Sequence, residues 1–246
     1  MRFALAFLPL LALAACGGGT ENASAPVTST TPVAAATPPA GKQWVDVVAK
    51  TPEGGFRQGN PNAPIQLVEY GSRTCPTCGR FAAEGVEPLR QKYVSTGKVS
   101  YEFRDFPLHG APDLALALLN QCVGTDAFFP MLDQMFANQV AFGEKLNALP
   151  EGFQQQLQTM TPPQAAAAIA DAMGAVEFAK QRGVPEAKAR QCLADQAVIK
   201  SIADVMADAS NNRGVQGTPT FFINGKQVDA AMWSQVETAL QAAGAR

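Results

Sequence analysis

Cys75-Pro76-Thr77-Cys78 follows the apolar run 65 to 70 and opens a segment whose composition is compatible with a helix. Two thiols separated by two residues at the start of a helix can close a small disulfide ring. A helix N-terminus presents unpaired N–H groups and a partial positive charge, so a cysteine there ionises more easily than a free one. The stretch therefore predicts a redox-active dithiol.

A second motif, Gly217-Thr218-Pro219-Thr220, precedes the apolar strand 221 to 223. A proline at the head of a strand can hold a cis bond. Next to a dithiol, such a bond leaves the edge of the preceding backbone open to an incoming peptide. The alternative is an ordinary trans turn before a strand.

The two motifs together resemble those of the DsbA-like thiol:disulfide oxidoreductases of the thioredoxin superfamily. The match runs from about 56 to 242 and includes a strand ending in Glu69-Tyr70 before the dithiol. The resemblance implies an α/β, thioredoxin-like fold with an inserted helical subdomain. We place this domain at 43 to 246 and its insertion at about 111 to 212.

We assign Cys75, on the exposed side of the motif, as the nucleophile. Cys78 lies one turn further into the helix and should be more buried, so we assign it as the resolving thiol. Half of a zinc site is the alternative. It would need two further ligands, and the chain offers one histidine, His109, which we expect at the surface, with Cys122 and Cys192, which are not spaced as a second CxxC.

The resemblance implies that Thr218 and Pro219, with Pro76 and Thr77, face the substrate. Thr77 stands where the best-known strongly oxidising relatives carry a histidine, and a threonine before the proline also occurs among isomerase-type relatives. The direction of the reaction therefore stays open.

Glu69 lies six residues before Cys75. Members of the family are similar in placing a buried acid there, which implies a proton shuttle for Cys78 if burial raises its pKa. The alternative is a carboxylate at a strand end that faces water.

Composition excludes several classes of protein. The 246 residues are 47% hydrophobic and 8% aromatic, which is typical of a globular chain with an ample core. The net charge of -2, without a basic run, argues against a dedicated nucleic-acid binder. We expect protein partners, no cofactor and no metal.

The N-terminus reads as an export signal. We predict a lipoprotein signal peptide at 1 to 15, because Leu13-Ala14-Ala15-Cys16 resembles a bacterial lipobox, in which the cysteine is lipidated. Cleavage after Ala14, with Cys16 unmodified, is the alternative. Residues 16 to 42, rich in Gly, Thr, Ala and Pro, predict a flexible linker. The expected location is the bacterial cell envelope, on the periplasmic side, with a lipid anchor in a membrane.

The five cysteines are an odd number for an oxidising compartment. If Cys16 carries lipid, Cys122 and Cys192 remain beside the dithiol. Some DsbA-like proteins carry a second, non-catalytic disulfide in the helical subdomain, which implies that these two are bonded. Two separately buried thiols are the alternative.

Hydrophobic patterning predicts the elements around the motifs. Strands are expected at 44 to 48, 65 to 70, 99 to 106, 220 to 224 and 226 to 228, and a terminal helix at 230 to 242. Residues 99 to 106 alternate with the period of two that is typical of a strand. Asp195 is expected to cap the last helix of the insertion, and Asn224-Gly225 to form a hairpin turn.

These observations predict an exported thiol:disulfide oxidoreductase that forms or exchanges disulfides in other exported proteins. Its expected partners are exported cysteine-containing proteins and a membrane redox protein that recycles the dithiol, and we expect a monomer. Two alternatives remain: a disulfide reductase or isomerase, and a non-catalytic lipoprotein that binds a metal or a partner through its thiols.

Overall fold

The computed structural model describes residues 27 to 246, and a six-stranded sheet lies at its centre. The strands are β1 (Val48–Lys50), β2 (Phe56–Gly59), β3 (Ile65–Gly71), β4 (Val99–Asp105), β5 (Thr220–Ile223) and β6 (Lys226–Val228). In space they follow the order β1-β2-β4-β3-β5-β6. Strands β3 and β4 pair in parallel, whereas the other neighbours pair antiparallel.

The helices surround this sheet. They are α1 (Pro76–Leu89), α2 (Ala111–Gln121), α3 (Phe128–Ala137), α4 (Gln139–Asn147), α5 (Phe153–Gln158), α6 (Pro162–Ala172), α7 (Ala175–Lys180), α8 (Glu186–Leu193), α9 (Gln196–Asn212) and α10 (Trp233–Ala242). A π-helical turn, Arg90–Val94, extends α1. Helices α2 to α9 follow one another between β4 and β5, so the predicted α/β fold with a helical subdomain is confirmed.

Both faces of the sheet are covered. Because side chains alternate along a strand, Leu67 packs on the face covered by α1, α3 and α10, and Tyr70 packs on the face covered by α9. Strand β4 lies between β2 and β3 and is buried along its whole length. The strand predicted at 99 to 106 is confirmed over Val99–Asp105, and helices cover both of its faces.

The helical subdomain has a hydrophobic core of its own. Buried side chains of α2, α6, α7 and α8 form it, among them Leu116, Ile169 and Leu193. Asp195 caps α9 as predicted, since its carboxylate accepts hydrogen bonds from the N–H groups of Ala197 and Val198. The subdomain can therefore present a fixed surface to the sheet.

Some predicted boundaries need correction. The strand expected at 44 to 48 is wrong over its first part, where Trp44–Asp46 form a 3-10 turn. The Trp44 indole donates a hydrogen bond to the Ala36 carbonyl at 2.8 Å, which ties this turn to the preceding chain. Strand β2, only four residues long, lies outside the predicted strands. The terminal helix begins at Trp233 instead of 230.

The described part of the expected linker lies against the domain. Val33 N–H donates to the Gly244 carbonyl at 2.9 Å, and Ala36 N–H donates to the Thr96 carbonyl at 2.9 Å. Val33 also packs against the hydrophobic core between the sheet and α1, α3 and α10. A flexible linker therefore does not describe residues 27 to 42. Residues 16 to 26, the signal peptide at 1 to 15 and Cys16 lie outside the described residues.

The predicted hairpin is present between β5 and β6. Asn224 and Gly225 have φ angles of 50° and 78°, as a tight two-residue hairpin turn requires. The Asn224 side chain also accepts a hydrogen bond from Gln66 N–H at 2.8 Å. This turn fixes β5 beside β3, next to the dithiol.

Candidate active site

The dithiol lies where β3 runs into α1. Cys75 is the N-cap of α1, and Pro76 occupies the first helical position, where the missing N–H costs no hydrogen bond. The Gly79 N–H donates to the Cys75 carbonyl at 3.0 Å and closes the first turn. The sequence predicts this placement correctly.

The two thiols differ in burial and in ionisation. Both are free, and Cys75 is 6% exposed whereas Cys78 is 0% exposed. Cys75 is thus more accessible than Cys78, but far less exposed than its place in the motif predicts. Next to it, Pro76 is exposed and Thr77 half-buried.

Hydrogen bonds lower the pKa of Cys75 from 9.0 to about 5. The largest contribution comes from the Cys78 thiol. Burial opposes it, and the backbone N–H groups of Thr77 and Cys78 add to it. Burial raises the pKa of Cys78 well above 9.0, so the thiolate is confined to Cys75 near neutral pH.

The second motif meets the dithiol directly. The Thr218-Pro219 peptide bond is cis, and the Cys75 thiol donates a hydrogen bond to the Thr218 carbonyl at 3.2 Å. The Thr218 hydroxyl is buried and has no hydrogen-bond partner in the described part of the chain. Its O–H is therefore available to the Cys75 thiolate.

Glu69 is a buried acid on the dithiol side of β3. It is 1% exposed, and burial raises its pKa from 4.5 to about 8. The Tyr101 hydroxyl donates to Glu69 Oε2 at 2.6 Å, whereas Oε1 has no hydrogen-bond partner among residues 27 to 246. The charge of Glu69 also raises the pKa of Cys78, so the two groups interact.

Arg73 is a residue of the site that the sequence motif does not predict. Its side chain is 2% exposed. Its guanidinium pairs with Asp105 at the end of β4 and donates to Asn120 Oδ1 of α2 at 2.9 and 3.1 Å. It also stacks over the Phe103 ring, 5.2 Å from its centroid. The residue two places before the nucleophile is therefore fixed by a buried network.

Asp113 of α2 holds the neighbouring residues of the same loop. Its carboxylate accepts hydrogen bonds from the Ser72 hydroxyl at 2.8 Å and the Thr74 N–H at 2.9 Å. His109, about half exposed, shares a 2.6 Å hydrogen bond with the Thr74 hydroxyl. Gln139 of α4 also contacts this loop.

Sequence patterning offers no signal for these partners. Asp113, Asn120 and Gln139 lie 39 to 66 residues from the loop positions that they contact. None belongs to a motif, and each is an ordinary polar residue of a helix. Only the docking of the helical subdomain brings them to the dithiol.

The other two cysteines of the described residues form a disulfide in the helical subdomain. Cys122, at the end of α2, is bonded to Cys192 of α8. Within the described residues, no group of three or more His, Cys, Asp and Glu side chains is placed to hold a metal ion. A search of the same residues finds no helix with the length and apolar character to cross a membrane.

A cleft of about 840 Å³ opens beside the dithiol. Thr74, Pro76 and His109 line one side, and the opposite side belongs to the helical subdomain, including Phe142 and Leu157. Of the described large hydrophobic side chains, the exposed ones are Leu108 and Val140, which adjoin cleft-lining residues in the sequence.

Comparison with known proteins agrees with this geometry. The thioredoxin family model matches residues 51 to 242. A "Putative protein-disulfide oxidoreductase" of Rickettsia felis is 25% identical over 202 residues, which are 81% of this chain and 63% of the relative. The chain thus spans less than two thirds of that relative's length.

Solved structures show the same fold. The protein-disulfide isomerase from Novosphingobium aromaticivorans matches with a TM-score of 0.73 and 29% identity, over 76% of this chain and 95% of that one. Wolbachia pipientis alpha-DsbA1 matches with a TM-score of 0.61 and 22% identity, over 79% of this chain and 92% of that one. With the family model covering most of its length, the chain belongs to the thioredoxin family and has the DsbA-like form of its fold.

Proposed function

We propose that this protein is an exported thiol:disulfide oxidoreductase that forms or exchanges disulfides in extracytoplasmic proteins through Cys75 and Cys78. One observation carries the proposal. A nearly buried thiol with a pKa of about 5 lies 3.2 Å from the carbonyl before a cis proline, beside a second thiol whose pKa is raised. Because of this asymmetry, we assign Cys75 to the exchange with the client sulfur and Cys78 to the opening and closing of the disulfide within the motif.

In the oxidising direction, a client thiolate attacks Cys75 Sγ of the oxidised protein, and the bond to Cys78 breaks. A mixed disulfide forms between the client and Cys75. A second client thiolate then attacks the client sulfur, and Cys75 leaves as a thiolate. Two electrons pass from the client to the protein, and the client gains a disulfide.

Glu69 supports the proton balance of this sequence. When Cys78 leaves Cys75, its raised pKa requires a proton, and a carboxyl group with a pKa of about 8 can supply one near neutral pH. In the reverse direction, the carboxylate can take the proton of Cys78. The unpartnered Glu69 Oε1 has lone pairs available for this transfer.

The client segment binds on two sides of Cys75 in this proposal. The backbone edge at Thr218 pairs with an extended peptide, because the Thr218 carbonyl lies 3.2 Å from the Cys75 sulfur. Side chains of the client lie over Pro76, which is exposed and lines the cleft, and over Thr77. Cysteine-containing proteins in extended or partly folded form fit these contacts.

The low pKa of Cys75 favours the donation of disulfides. Relative to a thiol of ordinary pKa, the reduced form gains about 3 kcal/mol at pH 7. For a two-electron couple this raises the reduction potential by about 60 mV. The likeness to a protein named as a disulfide isomerase makes isomerisation the second candidate.

The location is proposed from the sequence. The segment 1 to 16 directs export and lipidation of Cys16, which places the domain on the periplasmic side of a membrane. A membrane redox protein would then reoxidise the dithiol, and the domain would act as a monomer. Labelling with a radioactive fatty acid tests the anchor, since a Cys16→Ser variant should lose the label.

The activity is tested by oxidation of a dithiol peptide with glutathione disulfide as the electron acceptor, using the full chain and its Cys75→Ser and Cys78→Ser variants. We expect both variants to lose turnover. Given the disulfide form of the peptide, Cys78→Ser should accumulate a mixed disulfide, because the Cys75 thiolate attacks the peptide disulfide and one peptide sulfur leaves as a thiolate. Turnover that persists unchanged in both variants would exclude the dithiol mechanism. A Cys122→Ser/Cys192→Ser variant is the control that should keep its activity.

A further inference from the structure

A single amide of the helical subdomain holds the backbone on both sides of the nucleophile. Gln139 is the first residue of α4, and its Nε2 donates to the Arg73 carbonyl at 2.8 Å and to the Cys75 carbonyl at 2.9 Å. The Gln139 side chain is part-buried. No other helix of the subdomain bonds to the Cys75 backbone among the described residues.

Helix α1 leaves space for the Gln139 amide at Gly79. Gly79 follows Cys78 in the first part of α1, and a Cβ atom there would lie 2.3 Å from Gln139 Oε1. Glycine weakens a helix relative to alanine, so its presence inside α1 calls for a packing reason. The contact with Gln139 supplies that reason.

The same backbone contributes to the stability of the thiolate. The N–H groups of Thr77 and Cys78 lower the pKa of Cys75, and their direction depends on how the first turn of α1 leaves the loop. Gln139 fixes the carbonyls at 73 and 75, immediately before that turn. Loss of the two hydrogen bonds from Gln139 would therefore turn the N–H groups of Thr77 and Cys78 away from the Cys75 sulfur.

We propose that Gln139 is a positioning residue for disulfide exchange, by which the helical subdomain sets the reactivity of Cys75. The inference rests on the proposed function and adds to it a role for α4. Gln139 acts through the backbone of residues 73 to 75 and does not touch the reacting sulfurs. Gly79 is the complementary residue that lets the amide reach the loop.

The test replaces Gln139 with methionine, which has nearly the same size and no N–H donor. The rate of iodoacetamide labelling of Cys75 is measured against pH in the reduced full chain. Loss of two hydrogen bonds should move the labelling midpoint up by about one pH unit, a tenfold loss of thiolate below the midpoint. Gln156→Met, on the exposed part of α5, is the matched control and should leave the midpoint unchanged.

A double-mutant cycle with Gly79 separates positioning from general destabilisation. Gly79→Ala should raise the midpoint in the native background, because the new methyl group displaces the Gln139 amide. In a Gln139→Ala background, the same substitution should have no effect on the midpoint and should strengthen α1. Additive effects in the two backgrounds would refute the contact.

The outcomes also separate this inference from the proposed function. If the unaltered chain exchanges disulfides and Gln139→Met keeps its midpoint and rate, Gln139 has no positioning role. If the unaltered chain fails to exchange with peptide or with glutathione disulfide, the proposed function itself is wrong. Should Gln139→Met not fold, the Gly79→Ala result in the folded native background decides the question alone.

Discussion

The two cysteine pairs of this chain lie in opposite kinds of environment. Cys75 and Cys78 are three positions apart at the boundary between the sheet and the helical subdomain, and both are free thiols. Cys122 and Cys192 are 70 positions apart, join two helices of one subdomain, and are bonded. Titratable and hydrogen-bonding groups surround the first pair, whereas the second pair adjoins the hydrophobic core of the subdomain.

This difference teaches that burial alone does not decide what a cysteine does. Cys75 is as buried as many core residues, yet N–H and S–H donors point at its sulfur and favour the thiolate. Cys78, three residues later, has burial and nearby negative charge, which favour the thiol. The directional groups around each sulfur determine its chemistry.

The largest expected effect is the difference in labelling between the two cysteines of the dithiol. At pH 6, a thiol with a pKa of about 5 is mostly ionised, whereas an ordinary thiol is ionised to about one part in a thousand. In reduced protein, Cys75 should therefore react with iodoacetamide far faster than Cys78, whose pKa is raised and whose side chain is buried. Mass spectrometry of partly labelled protein checks this. Equal labelling, or faster labelling of Cys78, would reverse the roles assigned here.

The second effect concerns stability and the bonded pair. A disulfide that closes a loop of this length stabilises by about 4 kcal/mol in the chain-entropy treatment. The Cys122→Ser/Cys192→Ser variant should lose up to this amount in urea unfolding, while its Cys75 labelling midpoint stays at that of the unaltered chain. A shifted midpoint would show that the Cys122–Cys192 disulfide affects the ionisation of Cys75, so that the two cysteine pairs are not independent.

The third effect is the pH dependence introduced by Glu69. Its pKa of about 8 in the folded protein lies above the ordinary value of 4.5, so the folded state is fully favoured below pH 4.5 and loses stability as the pH rises through 8. Glu69→Gln should remove this pH dependence of stability, and it should stabilise the reduced protein against unfolding by about 3 kcal/mol at pH 7. Urea unfolding between pH 4 and pH 9 checks it.

The same variant tests the proton transfer. If Glu69 supplies the proton of Cys78, exchange by Glu69→Gln should slow even though the protein is more stable. A variant that is both more stable and equally fast would leave Glu69 without a role in exchange. Tyr101→Phe is a useful companion, because it removes the hydrogen bond that the Tyr101 hydroxyl donates to the Glu69 carboxyl group and keeps that group.

The sequence predicts the parts of this site that are local. A dithiol at a helix start, a proline at the head of β5 and the Asn224-Gly225 turn each follow from a few adjacent residues. The polar partners from α2 and α4 do not, because their positions depend on how the helical subdomain docks. The sequence also predicts a more exposed Cys75 than the structure has, because segments that contact it, such as the one at Thr218, are distant in the sequence.

The N-terminal segment illustrates a second limit. Its composition, poor in large apolar residues, is typical of a flexible coil. Nevertheless residues 27 to 42 bond to the backbone of distant segments, at Thr96 and Gly244. Backbone hydrogen bonds of this kind do not affect composition, so a flexible linker and a docked segment without regular structure have similar sequences.

The smallest expected effect separates the Thr218 side chain from the backbone around the dithiol. The Thr218 hydroxyl is buried without a hydrogen-bond partner among the described residues, and the Thr218 side chain lowers the pKa of Cys75. Thr218→Val keeps the shape and removes the donor, so the labelling midpoint of Cys75 should rise by about half a pH unit. Thr77→Val is the matched control, because Thr77 contributes through its backbone N–H, which the substitution retains. Equal midpoints in the two variants would mean that the Thr218 hydroxyl does not stabilise the Cys75 thiolate, which would leave the Cys78 thiol and the backbone N–H groups as its donors.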